Sequence, residues 1–407
     1  MNETPAGNRV HISIFGRRNA GKSSLINALT NQSAAIVSPV PGTTTDPVAK
    51  AIEILPIGPV IITDTAGIDD TGDLGALRVE KTLRVIDRTD LAILVLDPEQ
   101  TPSTFEDELL ARLRERERTV IGVVNKADLA ADTTATVGWA KTNELPVVQV
   151  SAVTRQGIEE LKRLLITSMP ADRIQPAVLD ELVRPGDCVV LVVPIDKAAP
   201  AGRLILPQVM TIRDALDHDA YTVVVKEREL KMALANLKNK PKLVVTDSQA
   251  VLKAAADTPE DVPFTTFSIL MARLKGDLEG LVRGVKAIER LQPGAKVLIA
   301  EACTHHRQAD DIGKVQIPRW LRQTVGGDID FHFSSGPDFP PDLASYDLII
   351  HCGGCMINRP EMLSRGLRAD EAGVPMVNFG VFLSYVHGVL ERALRPFPAA
   401  YLAYQEG

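Results

Sequence analysis

The chain has 407 residues, too many for one core of ordinary size, so two or three domains are expected. Its composition, 45% hydrophobic and 24% charged with 28 Gly and 27 Pro, excludes the disordered and collagen-like classes. A net charge of −7, from 45 basic against 52 acidic residues, argues against a general nucleic-acid binder.

The N-terminal stretch MNETPAGNRVHISIFG lacks a basic segment followed by an apolar core, so no signal peptide is read and cytoplasmic residence is expected. From Arg9 onward, strand-like runs alternate with helical patterns: VHISIFG, KSSLINALT, PVIITDTAG, LAILVLD, TVIGVVNKAD and PVVQVSA. This alternation predicts an α/β domain with a mainly parallel sheet, closing on the helix GIEELKRLLITSM and spanning 1–172. Pro170, Pro176 and Pro185 mark the connection.

A second, smaller α/β domain is expected over 173–265, with strands at CVVLVVPI, YTVVV and KLVVTD and a helix in RLILPQVMTIRDALDHD. The run CVVLVVP, about seven residues, is the longest apolar stretch and is far short of the roughly twenty that a membrane span needs. A third α/β domain, 266–407, opens on the helical stretch SILMARLKGDLEGLVRGVKAIERL. Short strands follow at AKVLIAEAC, DIDFHFSSG, YDLIIHCGGC and PMVNFGV, again predicting a small parallel sheet.

GRRNAGKS, Gly16 to Ser23, fits the phosphate loop G-x-x-x-x-G-K-S/T between a strand and a helix. Its glycines, Gly16 and Gly21, let backbone N–H groups of Asn19, Ala20 and the helix start at Ser23 and Ser24 approach phosphates. Lys22 reaches the terminal phosphates, and the Ser23 hydroxyl is a magnesium ligand. Asp64, in DTAG at the end of the strand PVIIT, serves the magnesium shell, and the Gly67 N–H senses the terminal phosphate. NKAD supplies Asn125, Lys126 and Asp128. The Asp128 carboxylate suits the two donor nitrogens of a guanine edge, and Ser151 with Ala152 completes the base pocket. The nucleotide is therefore read as GTP or GDP with magnesium.

These motifs, in this order, resemble the translation-factor-like GTPases, and within them the group typified by the tRNA-modification GTPase and Era. The resemblance implies that PGTTTDP, 41–47, is a switch segment in which Thr43, Thr44 and Thr45 are the candidates for closing over magnesium and phosphate, Thr44 being the one taken for the site. Ile68 stands where small Ras-like relatives carry the Gln that orients water, and Asp69 or Asp70 is the candidate replacement. Relatives with an Asn at the place of Asn19 use a potassium ion, so Asn19 is a candidate potassium ligand, with a plain turn-forming role as its alternative. Lys22, Thr44, Gly67 and Asp70 form the expected catalytic set.

Four cysteines and no secretory signal point to metal or catalytic use rather than disulfides. Three fall in a C-x-H and H-C-x-x-C pattern: Cys303 and His305 after one strand, His351, Cys352 and Cys355 after another. Both segments emerge at carboxyl ends of parallel strands, where such folds place ligands. Soft thiolates suit an iron–sulfur cluster or zinc, and the ligand chemistry leaves both open. Cys188, inside an apolar strand, reads as a packing residue.

The three domains together resemble the HydF family of iron-iron hydrogenase maturation GTPases over essentially the full length. That resemblance implies a 4Fe-4S cluster on Cys303, Cys352 and Cys355, with His305 and His351 matching the motif histidines. It also implies dimerisation through the middle domain, and a scaffold or carrier role for the di-iron subcluster precursor. The partners so implied are apo-hydrogenase and radical-S-adenosylmethionine maturases. The alternative is an Era-like GTPase of ribosome assembly or tRNA modification with a structural zinc site.

Overall fold

The computed structural model describes residues 5–30, 48–65, 73–130, 132–169, 177–194, 204–302, 311–336 and 339–406. The chain divides into two compact units, Met1–Pro176 and Ala177–Gly407.

The first unit holds strands β1 (Val10–Gly16), β2 (Val48–Ile54), β3 (Gly58–Asp64), β4 (Leu91–Leu96), β5 (Thr119–Val124) and β6 (Val147–Gln149). They form one sheet in the order β2-β3-β1-β4-β5-β6, parallel except for β2, which runs antiparallel to β3. Successive strand side chains point to opposite faces, so a strand covered on both sides must be apolar throughout. β4 meets that demand. Leu91, Ile93 and Val95 enter the core shared with the helices Lys22–Thr30 and Ile158–Ser168. Ala92, Leu94 and Leu96 enter the opposite one, against Asp73–Arg88, Thr104–Glu115 and Thr134–Thr142. The order of connections reverses beside β1, which puts the crevice of the sheet at the end of that strand.

The second unit contains two parallel four-stranded sheets. One has β7 (Cys188–Val192), β8 (Tyr221–Val225), β9 (Leu243–Thr246) and β10 (Phe264–Thr266) in the order β10-β9-β7-β8. The other has β11 (Lys296–Glu301), β12 (Asp330–Ser335), β13 (Leu348–His351) and β14 (Met376–Asn378) in the order β12-β11-β13-β14. One continuous core runs between them: Val190 and Val244 of the first sheet belong to the same cluster as Ile299 and Ile350 of the second. The helices Phe267–Lys275 and Phe379–Val386 supply Ile269, Leu270, Met271, Val381 and Phe382 to it.

The helical stretch expected to run from Ser268 to Leu291 is broken. It forms the helix Phe267–Lys275, the helix Leu278–Arg283 and a 3-10 turn over Gly284–Arg290. Gly276 closes the first piece, its N–H donating to Ala272 O at 2.9 Å. Gly284 lies so close to β14 that a Cβ there would sit 2.2 Å from Met376 O. Among the described residues no helix is long and apolar enough to cross a membrane.

Candidate nucleotide and thiolate sites

The phosphate loop leaves β1 at Gly16 and enters the helix Lys22–Thr30. Gly16 has φ +147° and Gly21 φ +86°. A Cβ at Gly16 would lie 2.4 Å from Val95 O, and one at Gly21 2.2 Å from Asn125 Nδ2, so both positions exclude a side chain. Asn19 takes φ +61°, a left-handed conformation that Asn tolerates better than most residues. The buried Lys22 curls back over the loop, its Nζ donating to Gly16 O at 2.9 Å and Arg17 O at 2.8 Å. Ala20 is buried beneath the loop, and Ser24 is half-buried in the first helical turn. Arg17 is held from the side: its guanidinium donates to Glu106 at 2.6 Å and to Ser103 Oγ at 2.5 Å.

Ser23 Oγ donates to Asp64 Oδ2 at 2.5 Å. Asp64 Oδ1 is buried and has no hydrogen-bond partner among the described residues. Burial pushes the Asp64 carboxyl above its usual range, opposed by Ser23 and then by the charges of Lys22 and Lys50. A hydroxyl and a buried carboxylate with a spare oxygen, at the start of a helix, are a fitting donor set for magnesium bound to phosphate. Thr44, Gly67 and Asp70, with Ile68, lie outside the described residues.

On the base side, Asn125 follows β5 directly and is buried. Its Nδ2 donates to Ala20 O at 2.9 Å, and its Oδ1 accepts from Ala152 N at 3.2 Å. One side chain thus joins the phosphate loop to the Ser151–Ala152 turn. Lys126 has φ +59°, and its Nζ is paired with Asp97 at 2.7 Å. Asp128 is exposed, as are its neighbour Leu129 and Val153 of the turn that follows Ser151. Ser151 is buried, its Oγ accepting from Thr154 N at 3.0 Å.

In the second unit, the thiol loop follows β13. Cys352 Sγ accepts backbone N–H bonds from Ala302 at 3.1 Å and Gly354 at 3.4 Å. The Ala302 bond ties the end of β11, one residue before Cys303, to the Cys352 sulfur. Gly354, at φ +62°, turns the chain between the two cysteines. Burial pushes the Cys352 thiol up to about 11, and raises Cys355 against the opposing charge of Lys275. Lys275 Nζ donates to the carbonyls of Gly354 (3.3 Å), Cys355 (3.0 Å) and Ile357 (2.8 Å). Burial pulls the Lys275 ammonium down to about 8, against the charges of Cys355 and Cys352. Burial disfavours free thiolates here, while the N–H donors on the Cys352 sulfur and the ammonium beside Cys355 favour thiolate charge, a balance that suits thiolates held on a metal.

His351 departs from the expected ligand role. It is the last residue of β13 and fully buried; its Nδ1 donates to Cys352 O at 2.7 Å, and its Nε2 accepts from Arg365 Nη1 at 3.1 Å. Burial first, and the Arg365 charge second, push its pKa down to about 3. A neutral ring with both nitrogens engaged has no lone pair left for a metal. The guanidinium also donates to Gly336 O (2.9 Å) and Glu361 (2.8 Å). Cys303 and His305 lie outside the described residues, and among those described no three metal-ligating side chains converge. Cys188 packs in β7.

Lys275 and Arg365 were not singled out by motif. A signal for Lys275 exists: Phe267, Met271 and Lys275 are spaced by four, so the lysine falls on the buried face of its helix. Arg365 carries no such signal.

Comparison with known proteins divides along the same chain. A family profile described as 50S ribosome-binding GTPase matches residues 11–126. The hydrogen maturase F dimerization domain matches 178–276, and the hydrogen maturase F tetramerization domain matches 279–396, together more than half of the chain. Curated relatives include the tRNA modification GTPase MnmE of Heliobacterium modesticaldum, 40% identical over 154 residues (37% of this chain, 32% of the relative). That of Chromobacterium violaceum is 37% identical over 158 residues (39% and 34%). The chain therefore spans about a third of the length of these relatives. A crystal structure of an Aquifex aeolicus Era variant bound to GDP and tetrafluoroaluminate aligns with 26% identity and a TM-score of 0.36, covering 39% of this chain and 56% of that one.

Proposed function

The chain belongs to the hydrogen maturase F family, and from that premise we propose that it is a GTP-hydrolysing scaffold or carrier that assembles or delivers a di-iron subcluster precursor to apo-(FeFe)-hydrogenase. Three segments divide the work: 1–172 handles the nucleotide, 173–265 dimerises, and 266–407 carries a 4Fe-4S cluster on Cys303, Cys352 and Cys355. His305 remains available to that cluster, while His351 supports the loop. When bound, the cluster supplies one-electron chemistry and an iron with an exchangeable ligand position.

The observation that carries the reading is the Cys352 sulfur, held by two N–H groups beside the buried Lys275. It lies in the segment that matches the hydrogen maturase F tetramerization profile. Ser23, Asp64 and Thr44 would hold the magnesium ion that neutralises charge on the terminal phosphates of GTP, and Asn19 would hold a potassium ion for the charge that develops there. Loss of that phosphate releases the switch segments around Thr44 and Gly67, and the output is a change in contacts with radical-S-adenosylmethionine maturases or the hydrogenase. A homodimer in the cytoplasm is the working form.

Anaerobic purification with iron and sulfide analysis, EPR and a hydrogenase maturation assay test this reading. Cys352→Ala and Cys355→Ala are expected to lose iron and maturation while still binding GTP; stoichiometric zinc with no reducible cluster rejects it. That outcome would favour the second reading, an Era-like GTPase of ribosome assembly or tRNA modification with a zinc staple, which draws on the first unit's relatives alone.

A further inference from the structure

The helix Phe267–Lys275 starts at the end of β10, where Thr266 Oγ1 accepts the Ile269 N–H at 3.1 Å, and finishes against the thiol loop. One face of it follows that loop. A Cβ on Gly353 would stand 3.6 Å from Ser268 Oγ and 3.9 Å from Met271 Cβ. One turn further on, Lys275 Nζ reaches the carbonyls of Gly354, Cys355 and Ile357.

A lysine in the last turn of a helix is commonplace on a surface, where it complements the helix dipole. Lys275 is different, being 4% exposed and turned onto another segment 79 to 82 residues away. Three donors facing three carbonyls match an ammonium; a neutral amine has only two. A buried charge needs countercharge, and Cys355, whose carbonyl the ammonium grips, would supply it as a metal-bound thiolate.

We propose that Lys275 is the positioning and charge-compensating residue of the cluster: it fixes the backbone from Gly354 to Ile357 and raises the cluster's midpoint potential by favouring the reduced, more negative state. This rests on the iron–sulfur reading above. Net charge and hydrogen bonding near the sulfurs are among the terms that set such potentials. The helix that bears this charge follows β10 directly and lies within the segment matched by the dimerization profile.

The test uses the full chain, reconstituted anaerobically, as parent, Lys275→Met and Lys275→Arg. Iron content, an EPR-monitored redox titration and the melting of the iron-free proteins are the readouts. Lys275→Met is expected to hold iron with a lower midpoint: at the parental midpoint, its reduced-to-oxidised ratio falls about tenfold, 59 mV for one electron. Lys275→Arg keeps the charge and stays near the parent. Iron lost from Lys275→Met but kept by Lys275→Arg, with both iron-free proteins melting like the parent, supports the assignment as well. A parental midpoint in iron-loaded Lys275→Met, or iron lost equally from both, overturns it. A parent that takes up only zinc sinks the iron–sulfur reading and this inference together, whereas an iron-loaded parent with an unshifted variant sinks the inference alone.

Discussion

Ser23 Oγ donates to Asp64 Oδ2 across 2.5 Å, joining the first turn of the phosphate-loop helix to the end of β3 while the other carboxylate oxygen stays buried and unpartnered among the described residues. The contact sets a carboxylate where only a cation would make its charge favourable.

Asp64 therefore trades stability for metal binding. Its folded-state pKa lies above 3.8 because burial opposes the charge. A carboxyl so raised binds its proton more tightly in the folded than in the unfolded chain. Its contribution is complete below pH 3.8 and is lost as pH rises through the folded value. Without magnesium at pH 7, Asp64→Asn is expected to stabilise the first unit by roughly 1 kcal/mol, while magnesium-dependent GTP turnover falls by about a hundredfold or more. Thermal melts in chelator and phosphate-release assays check both; a less stable metal-free variant would contradict the account.

Asn125→Ala removes both bonds that join Ala20 to Ala152. Two buried hydrogen bonds with their partners left unsatisfied predict a loss of about 2–4 kcal/mol in nucleotide affinity and local stability. The iron content should not change. Calorimetry with GDP measures the first, and an unaltered dissociation constant would show that the Asn125 bridge is dispensable.

Potassium should accelerate GTP turnover relative to sodium at equal ionic strength, and Asn19→Ala should erase the difference. Because Asn19 sits at φ +61°, the alanine also pays roughly 1 kcal/mol of backbone strain, so Asn19→Gly is the better control. Equal rates in the two salts for the parent protein would remove the ion from the mechanism.

Arg365 donates to His351, Gly336 O and Glu361 in a buried cluster. Arg365→Met leaves the Glu361 carboxylate without this partner and frees the His351 ring. A loss of about 3–5 kcal/mol in the second unit is expected, with faster iron loss from the thiol loop. Denaturant unfolding followed by a probe in that unit decides it; an unchanged midpoint would mean that the ion pair and its bond to His351 contribute nothing.

The nucleotide motifs were legible because a phosphate loop is local: Gly16 to Ser23 meet through backbone turns that the glycines and the following helix specify themselves. Strand assignments were legible for a similar reason, since β4 and β7 are apolar on both faces and read as buried runs. The helical stretch expected after Ser268 is helical in three pieces, and the breaks were not legible because propensity along the chain does not register that Gly276 ends one helix or that Gly284 must approach Met376 O.

By itself the sequence determined the α/β character of the chain, the order of the GTPase motifs, and the pairing of Cys352 with Cys355 in one short loop. Tertiary structure alone decided what each of these groups faces. Asn125 meets Ala20 across 105 residues, Lys275 meets Ile357 across 82, and Arg365 takes the nitrogen of His351 that a motif would assign to metal. Such contacts are set by which strands lie side by side and which helix face is buried, and residue spacing carries no information about a partner that arrives from another part of the sheet.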